Sequence, residues 1–262
     1  TALEFLGISP AGLNGIPALV PAKQAAAEQS GRLVMDLLRR DVRPSHVITR
    51  AALENAIASV AATGGSTNGV LHLLAIAYEL GIPLTIDDFD RIAARTPVVA
   101  SLKPGGRFVA TDVYEAGGVA LVARELVKRD LVHADALNVD GRSLGEIAAA
   151  VEERPGQEVV VPIETPLKPT GGLGILYGNL SPEGSVVKLA GHERLLHRGP
   201  ARVFDSEEAC FAAVEAGGIQ EGDVVVIRYE GPSGGPGMRE MLHVTGARVG
   251  EGLGDAVALV AD

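Results

Sequence analysis

The stretch "EVVVPIETPLKPTGG", Glu158 to Gly172, decides how this chain divides. Pro162, Pro166 and Pro169 follow one another too closely for a helix, because each proline removes a backbone donor and fixes φ. The residue before each proline is also pushed toward extended backbone. The stretch therefore reads as an extended linker or crossover, and the texture of the chain differs on its two sides.

Upstream, the pattern is helical. "AKQAAAEQSGRLVMDLLRR" (Ala22 to Arg40) places Leu33, Val34, Leu37 and Leu38 on one helical face. Thr49 is a candidate cap for "RAALENAIASVAA", which ends at Gly64-Gly65. In "GGSTNGVLHLLAIAYELG", Ser66 or Thr67 is the candidate N-cap and Gly81 the stop. Its body, Val70 to Leu80, is apolar nearly all round, which predicts a helix buried on every side. Thr85 with Asp88, and Ser143 with Glu146, have capping-box spacing before two further helices. "GGVALVARELVKRD" is another amphipathic helix.

Downstream, the pattern is mostly of strands. "GLGILYGNL", a Ser-Pro-Glu-Gly turn and "SVVKLAG" predict a hairpin. "GPARVFDS" is a strand, "EEACFAAVEAG" a short helix and "DVVVIRYEG" a buried strand. "DAVALVAD" reads as a further buried strand. The expectation is an α/β chain: an α-rich part over residues 1–160 and a β-rich part over residues 161–262. Thr1 is followed at once by a helical pattern, and the last strand has no loop after it. Both ends look cut, so we expect an internal piece of a longer protein.

Composition narrows the classes. The 262 residues are 47% hydrophobic but only 3% aromatic, so Ala, Val, Leu and Ile must build the core. A net charge of -10 argues against nucleic acid or an anionic membrane as partner. No apolar run is long enough to span a bilayer. A lone cysteine, Cys210, cannot form an intrachain disulfide, and a reducing cytoplasm is expected. Cys210 should pack as a small hydrophobe. His72, on the apolar helix, reads as a hydrogen-bonded core histidine. No histidine spacing suggests zinc.

Two glycine-rich stretches are candidate sites. "GPSGGPGMREML", from Gly231, follows a buried strand, where open sheets present ligand loops. It is either a long turn or a place where backbone N–H groups meet a small anion. "TGGSTNG", Thr63 to Gly69, is either a capped inter-helix turn or an anion site at a helix N-terminus.

Four stretches together carry a resemblance: "GGSTNGVLHLLAIA", "PTGGLGILYGNLSPEGSVVKLAG", "ARVFDSEEA" and "GDVVVIRYEGPSGGPGMREML". They are similar to the dihydroxy-acid and 6-phosphogluconate dehydratase family over essentially the whole chain. Within it, "GPSGGPGMREML" is closest to the branch acting on dihydroxy acids of branched-chain amino-acid biosynthesis. The resemblance implies the C-terminal part of an α/β domain (1–160), then the first part of a β-barrel-like domain (161–262), both truncated. It implies a homodimer or dimer of dimers, and a small dihydroxy acid as substrate. It implies an iron–sulfur cluster whose cysteines lie upstream of Thr1, a Mg²⁺ ion, and a base serine beyond Asp262. By the same resemblance Glu240 is a Mg²⁺ ligand, and Gly234, Gly235, Gly237, Ser66, Thr67 and Asn68 border the substrate. Sibling activities on sugar acids or 6-phosphogluconate, and a non-catalytic binding or assembly paralogue, are the alternatives.

Overall fold

A computed structural model describes residues 1–191, 195–231 and 241–262. The chain forms two compact units, one up to residue 193 and one from residue 194 onward.

The first unit contains α1 (Ala2–Phe5), α2 (Ala22–Arg39), α3 (Pro44–Val47), α4 (Arg50–Thr63), α5 (Asn68–Glu79), α6 (Ile86–Arg95), α7 (Ala110–Ala116), α8 (Val119–Val127) and α9 (Leu144–Ala149). The hairpin β1 (Leu173–Leu176) and β2 (Ser185–Lys188) completes it. Helix α4 is central. Thr49 Oγ1 accepts from the Ala52 amide at 3.2 Å and starts it, and Gly64, at φ 56° and ψ 41°, ends it. Its alanines let neighbouring helices approach closely, and Ala52, Leu53, Ala56 and Ile57 are buried beneath them. Buried Asn55 is satisfied in both directions by the backbone of His133, at 2.9 and 2.7 Å. The last carbonyls of α4 are used too: Ala62 accepts from Val99 and Ala100, and Ala61 from Gly172.

The proline-rich stretch is not a free linker. Val161 donates to Val99 at 2.8 Å, and Val159 accepts from Ser101 at 2.9 Å. Val159, Val160 and Ile163 belong to the helical core. The buried Glu125 carboxylate accepts from the Ile163 amide at 3.0 Å and from Lys128 Nζ at 2.7 Å. The prolines keep the segment extended while flanking residues supply the apolar contacts.

The hairpin forms as its pattern predicts, antiparallel, with Leu173 opposite Lys188 and Ile175 opposite Val186. Leu173, Ile175 and Val186 pack on the helical core. Two expectations are corrected. Helix α5 buries Val70, Leu73 and Ala77 only, and Tyr78 is 84% exposed. An all-apolar helix carries no contrast between faces, so its pattern could not show which side meets solvent. His72 is exposed and not a core residue.

The second unit is built of β3 (Ala201–Phe204), α10 (Glu207–Glu215), β4 (Val224–Ile227), α11 (Leu242–Gly250) and β5 (Ala258–Ala261). The strands are parallel in the order β3-β4-β5. Each crossover carries a helix, as parallel pairing requires. Val225 and Ile227 of central β4 pack with Cys210, Val214 and Val244 from the helices and with Met241, the residue before α11. Strand β5 is not buried as expected: it lies at the sheet's edge, and Val260 is 39% exposed. The chain is therefore α/β. Among the described residues its sheets have two and three strands, and neither closes on itself.

Candidate functional site

The α4–α5 junction positions Ser66, Thr67 and Asn68. Gly64 takes the left-handed conformation, and the Gly65 amide donates back to Val60 at 2.9 Å. Ser66 Oγ accepts from the Asn68 amide at 3.2 Å. Thr67 occupies the cap position with helical dihedrals and no capping bond. The Ser66 side chain is exposed, while Thr67 and Asn68 are half-buried.

Glycines bring three other segments against this turn. A Cβ on Gly64 would lie 2.6 Å from the Ala190 Cβ, and one on Gly172 would lie 2.7 Å from the Gly64 Cα. A Cβ on Gly105 would meet the Ala190 carbonyl at 2.9 Å. Lys168 Nζ donates to the Leu189 carbonyl at 3.3 Å. Lys188 stands opposite Leu173, the residue after Gly172, and burial lowers its pKa. The first amides of α5 are used locally, Gly69 donating to the Ser66 carbonyl and Val70 to the Thr67 carbonyl, each at 3.0 Å, so it is the positive end of the helix dipole that favours an anion here. Sequence reading missed Lys168 and Lys188. The available signal for Lys188 was its position in a period-2 hairpin, on the face shared with Leu173, Ile175 and Val186, and Lys168, outside the hairpin, carried no such signal.

The second unit presents the carboxyl ends of its parallel strands. Asp205, after β3, accepts from Arg228 Nε at 2.8 Å and Nη2 at 2.6 Å. Glu230 is 3% exposed, and its Oε1 accepts from the Glu207 amide at 2.9 Å, at the start of α10. Asp262 Oδ2 accepts from the Tyr229 amide at 2.9 Å. Its Oδ1 accepts from Glu230 and Gly231 at 3.1 and 3.2 Å. Tyr229 and Met241 have φ of 65° and 50°. Gly234, Gly235, Gly237 and Glu240, between them, lie outside the described residues.

Metal-binding chemistry has little to build on in the described residues. They contain no group of three or more His, Cys, Asp or Glu side chains able to hold an ion. Cys210 is fully buried, and burial, with Glu207 nearby, pushes its thiol up to about 11. Cluster ligation needs accessible thiolates, so Cys210 does not fit. No described helix is long and apolar enough to cross a membrane.

Two family models match the chain. The N-terminal domain of dihydroxy-acid/6-phosphogluconate dehydratases matches residues 1–147, and the C-terminal domain matches residues 158–262. The chain belongs to the dihydroxy-acid/6-phosphogluconate dehydratase family. Several relatives in this dehydratase family are named dihydroxy-acid dehydratase. One, from Koribacter versatilis, is 61% identical over 259 residues, covering 99% of this chain and 45% of that protein. One from Roseiflexus castenholzii is 58% identical over 262 residues, covering 100% of this chain and 47% of its own length. A Thermus thermophilus relative is 54% identical with the same coverage. The chain thus spans about half the length of the curated relatives it matches.

Proposed function

We propose that the protein containing this chain is a hydro-lyase that converts a 2,3-dihydroxy acid of the 2,3-dihydroxy-isovalerate type into a 2-keto acid. The reaction removes the C2 proton and the C3 hydroxyl as water, and the resulting enol tautomerises to the ketone. The observation that carries this reading is the match over 99% or more of this chain, at 54% to 61% identity, to relatives named dihydroxy-acid dehydratase. Branched-chain amino-acid biosynthesis, a cytoplasmic location, a homodimer or dimer of dimers and a β-barrel-like C-terminal domain belong to the same proposal.

Ser66, Thr67 and Asn68 are assigned to the substrate's carboxylate, because they stand at the positive N-terminal end of α5. Gly234, Gly235 and Gly237 are assigned to close backbone approach, and Glu240 to a metal. An iron–sulfur cluster and Mg²⁺ form part of the proposal, with ligands other than Glu240 outside this chain. Bound metal would supply Lewis acidity for the leaving hydroxyl and the developing enolate.

The test is keto-acid formation by the purified full-length protein from 2,3-dihydroxy-isovalerate, an aldonate and 6-phosphogluconate. The expected result is highest kcat/KM on the branched dihydroxy acid. Preference for the aldonate or the phosphorylated acid would replace the substrate assignment. Absence of turnover on all three would sink the enzymatic reading.

A further inference from the structure

The carboxyl ends of β4 and β5 are joined by a contact that the proposed function leaves unused. One carboxylate, Asp262, collects three consecutive backbone amides: Tyr229 at 2.9 Å, Glu230 at 3.1 Å and Gly231 at 3.2 Å. Burial raises the Asp262 carboxyl, the amides of Glu230, Tyr229 and Gly231 lower it, and it lies below the ordinary carboxylate range. The bonds are therefore of the charge-assisted kind. The backbone is shaped to make them. Tyr229 adopts φ 65°, a left-handed conformation that a bulky residue rarely takes. Gly231 packs tightly on Asp262: a Cβ would come 3.0 Å from the Asp262 carbonyl carbon, so Asp262 would have to shift by a few tenths of an ångström.

Neighbouring contacts make this more than an ordinary edge. Glu230, the middle residue, sends its own carboxylate to the Glu207 amide at 2.9 Å. Arg228, just before, reaches Asp205 at 2.6 Å. Residues 228–231 are thus fixed from both flanking strands. They lead directly into residues 232–240.

We propose that Asp262 is a positioning residue: its carboxylate ties the exit of β5 to the exit of β4. The tie fixes the backbone of Tyr229–Gly231, the residues that precede the glycine-rich stretch ending at Glu240 in sequence. The proposal rests on the reading of Glu240 as a metal ligand for its catalytic consequence, but not for the tie itself. Asp262 acts through the backbone of Tyr229–Gly231 and needs no contact with substrate.

The test uses the full-length protein with Asp262→Asn, Gly231→Ala, the double variant and Arg228→Gln as a control. Asparagine keeps the shape but turns one acceptor oxygen into a donor, which then faces an N–H. Hydrogen exchange at residues 229–231 should accelerate at least about tenfold in Asp262→Asn, the scale of losing charge-assisted bonds. Exchange in β3 and β4 should stay unchanged. Turnover should fall by more than about tenfold while KM stays within about threefold, the signature of a misplaced reacting group and not of lost substrate binding. Gly231→Ala should do the same by pushing Asp262 away. The double variant should be no worse than the poorer single one, because both break one contact. Arg228→Gln loosens only the β3 side of this segment, so it should accelerate exchange at 229–231 and lower turnover less than Asp262→Asn does. Unchanged exchange in Asp262→Asn, unchanged turnover despite faster exchange, additive losses in the double variant, or accelerated exchange throughout the sheet would each overturn the proposal. A wild type that dehydrates no dihydroxy acid would sink the assigned function and leave the tie to be decided by exchange alone.

Discussion

Gly64 joins local conformation to long-range packing in one residue. Its φ of 56° is costly for any residue with a Cβ, and its missing side chain leaves room for Ala190 and Gly172. Gly64→Ala should therefore cost about 2–4 kcal/mol, from left-handed strain plus overpacking. Gly12→Ala is the comparison. Gly12 also has positive φ, but a Cβ there meets nothing within 4 Å, so only about 1–2 kcal/mol is expected. Denaturant unfolding of both variants checks the difference, and equal losses would refute the packing part. The helix stop at Gly64-Gly65 was legible, because a glycine pair after an apolar helix is a local signal. Its partners were not, since Ala190 and Gly172 lie far downstream and no local pattern names them. A second residue-scale expectation concerns Glu240. Glu240→Gln in the full-length protein keeps the shape and removes an anionic oxygen, which hard Mg²⁺ favours. Turnover should fall on the order of 10²-fold or more, with a higher Mg²⁺ requirement in titration. Near-normal turnover at ordinary Mg²⁺ would make the ligand assignment wrong.

At the scale of elements, capping signals were the most readable. Thr85 with Asp88 and Ser143 with Glu146 both form capping boxes where their spacing places them. Asp88 does more than its spacing shows. It accepts from Arg50 Nη2 at 2.6 Å and Nη1 at 3.1 Å, and from Thr85 N at 2.9 Å. Arg50 also reaches Glu54 at 3.0 Å, so the starts of α4 and α6 share one ionic cluster. The hydrogen bonds from Arg50 are the largest cause holding the Asp88 carboxyl well below its usual value. A carboxylate depressed in the folded state contributes stability that is present above its unfolded pKa of about 4 and is lost as pH falls toward its folded value. Asp88→Asn should cost about 2–3 kcal/mol at neutral pH through the weakened cap and lost charge-assisted bonds. The gap from wild type should narrow steadily below about pH 4. Unfolding measured from pH 7 to pH 3 tests this, and a constant gap would show that Asp88 contributes through shape alone. Burial was less legible than capping. Helix α2 formed where its pattern put it, yet Val34 and Leu38 are 61% and 71% exposed. A pattern reports which face is apolar, but not whether another element covers it.

At the scale of the whole molecule, the sequence reading set a helix-rich part before residue 160 against a strand-rich part after it, and it did not anticipate α11 in the later part. It could not show where the hairpin belongs. Residues 173–188 look like the start of a β region, but their inward side chains pack on helices of the first unit. Contacts between elements distant in sequence decide membership of a unit, and local periodicity carries no trace of them. The same limit applies to the cofactors. Family membership leads us to expect a cluster in the full-length protein, while this chain has one cysteine. That cysteine lies in the core of the second unit, packed with Val214, Val225 and Val244. Its thiol is pushed up to about 11, chiefly by burial, so it stays protonated near neutral pH, and its burial keeps it from reaching a cluster. The 262-residue chain, expressed and purified alone, should therefore retain no stoichiometric iron or sulfide after reconstitution and show no dehydration of a dihydroxy acid. Cys210→Ala should leave both results unchanged and cost only the packing of a small buried group, about 1–2 kcal/mol. Iron and sulfide analysis with the visible spectrum is the measurement. Stoichiometric iron in the wild-type chain that disappears in Cys210→Ala would show that Cys210 leaves the core to bind a cluster, and would overturn both its structural role and the placement of the cluster ligands outside this chain.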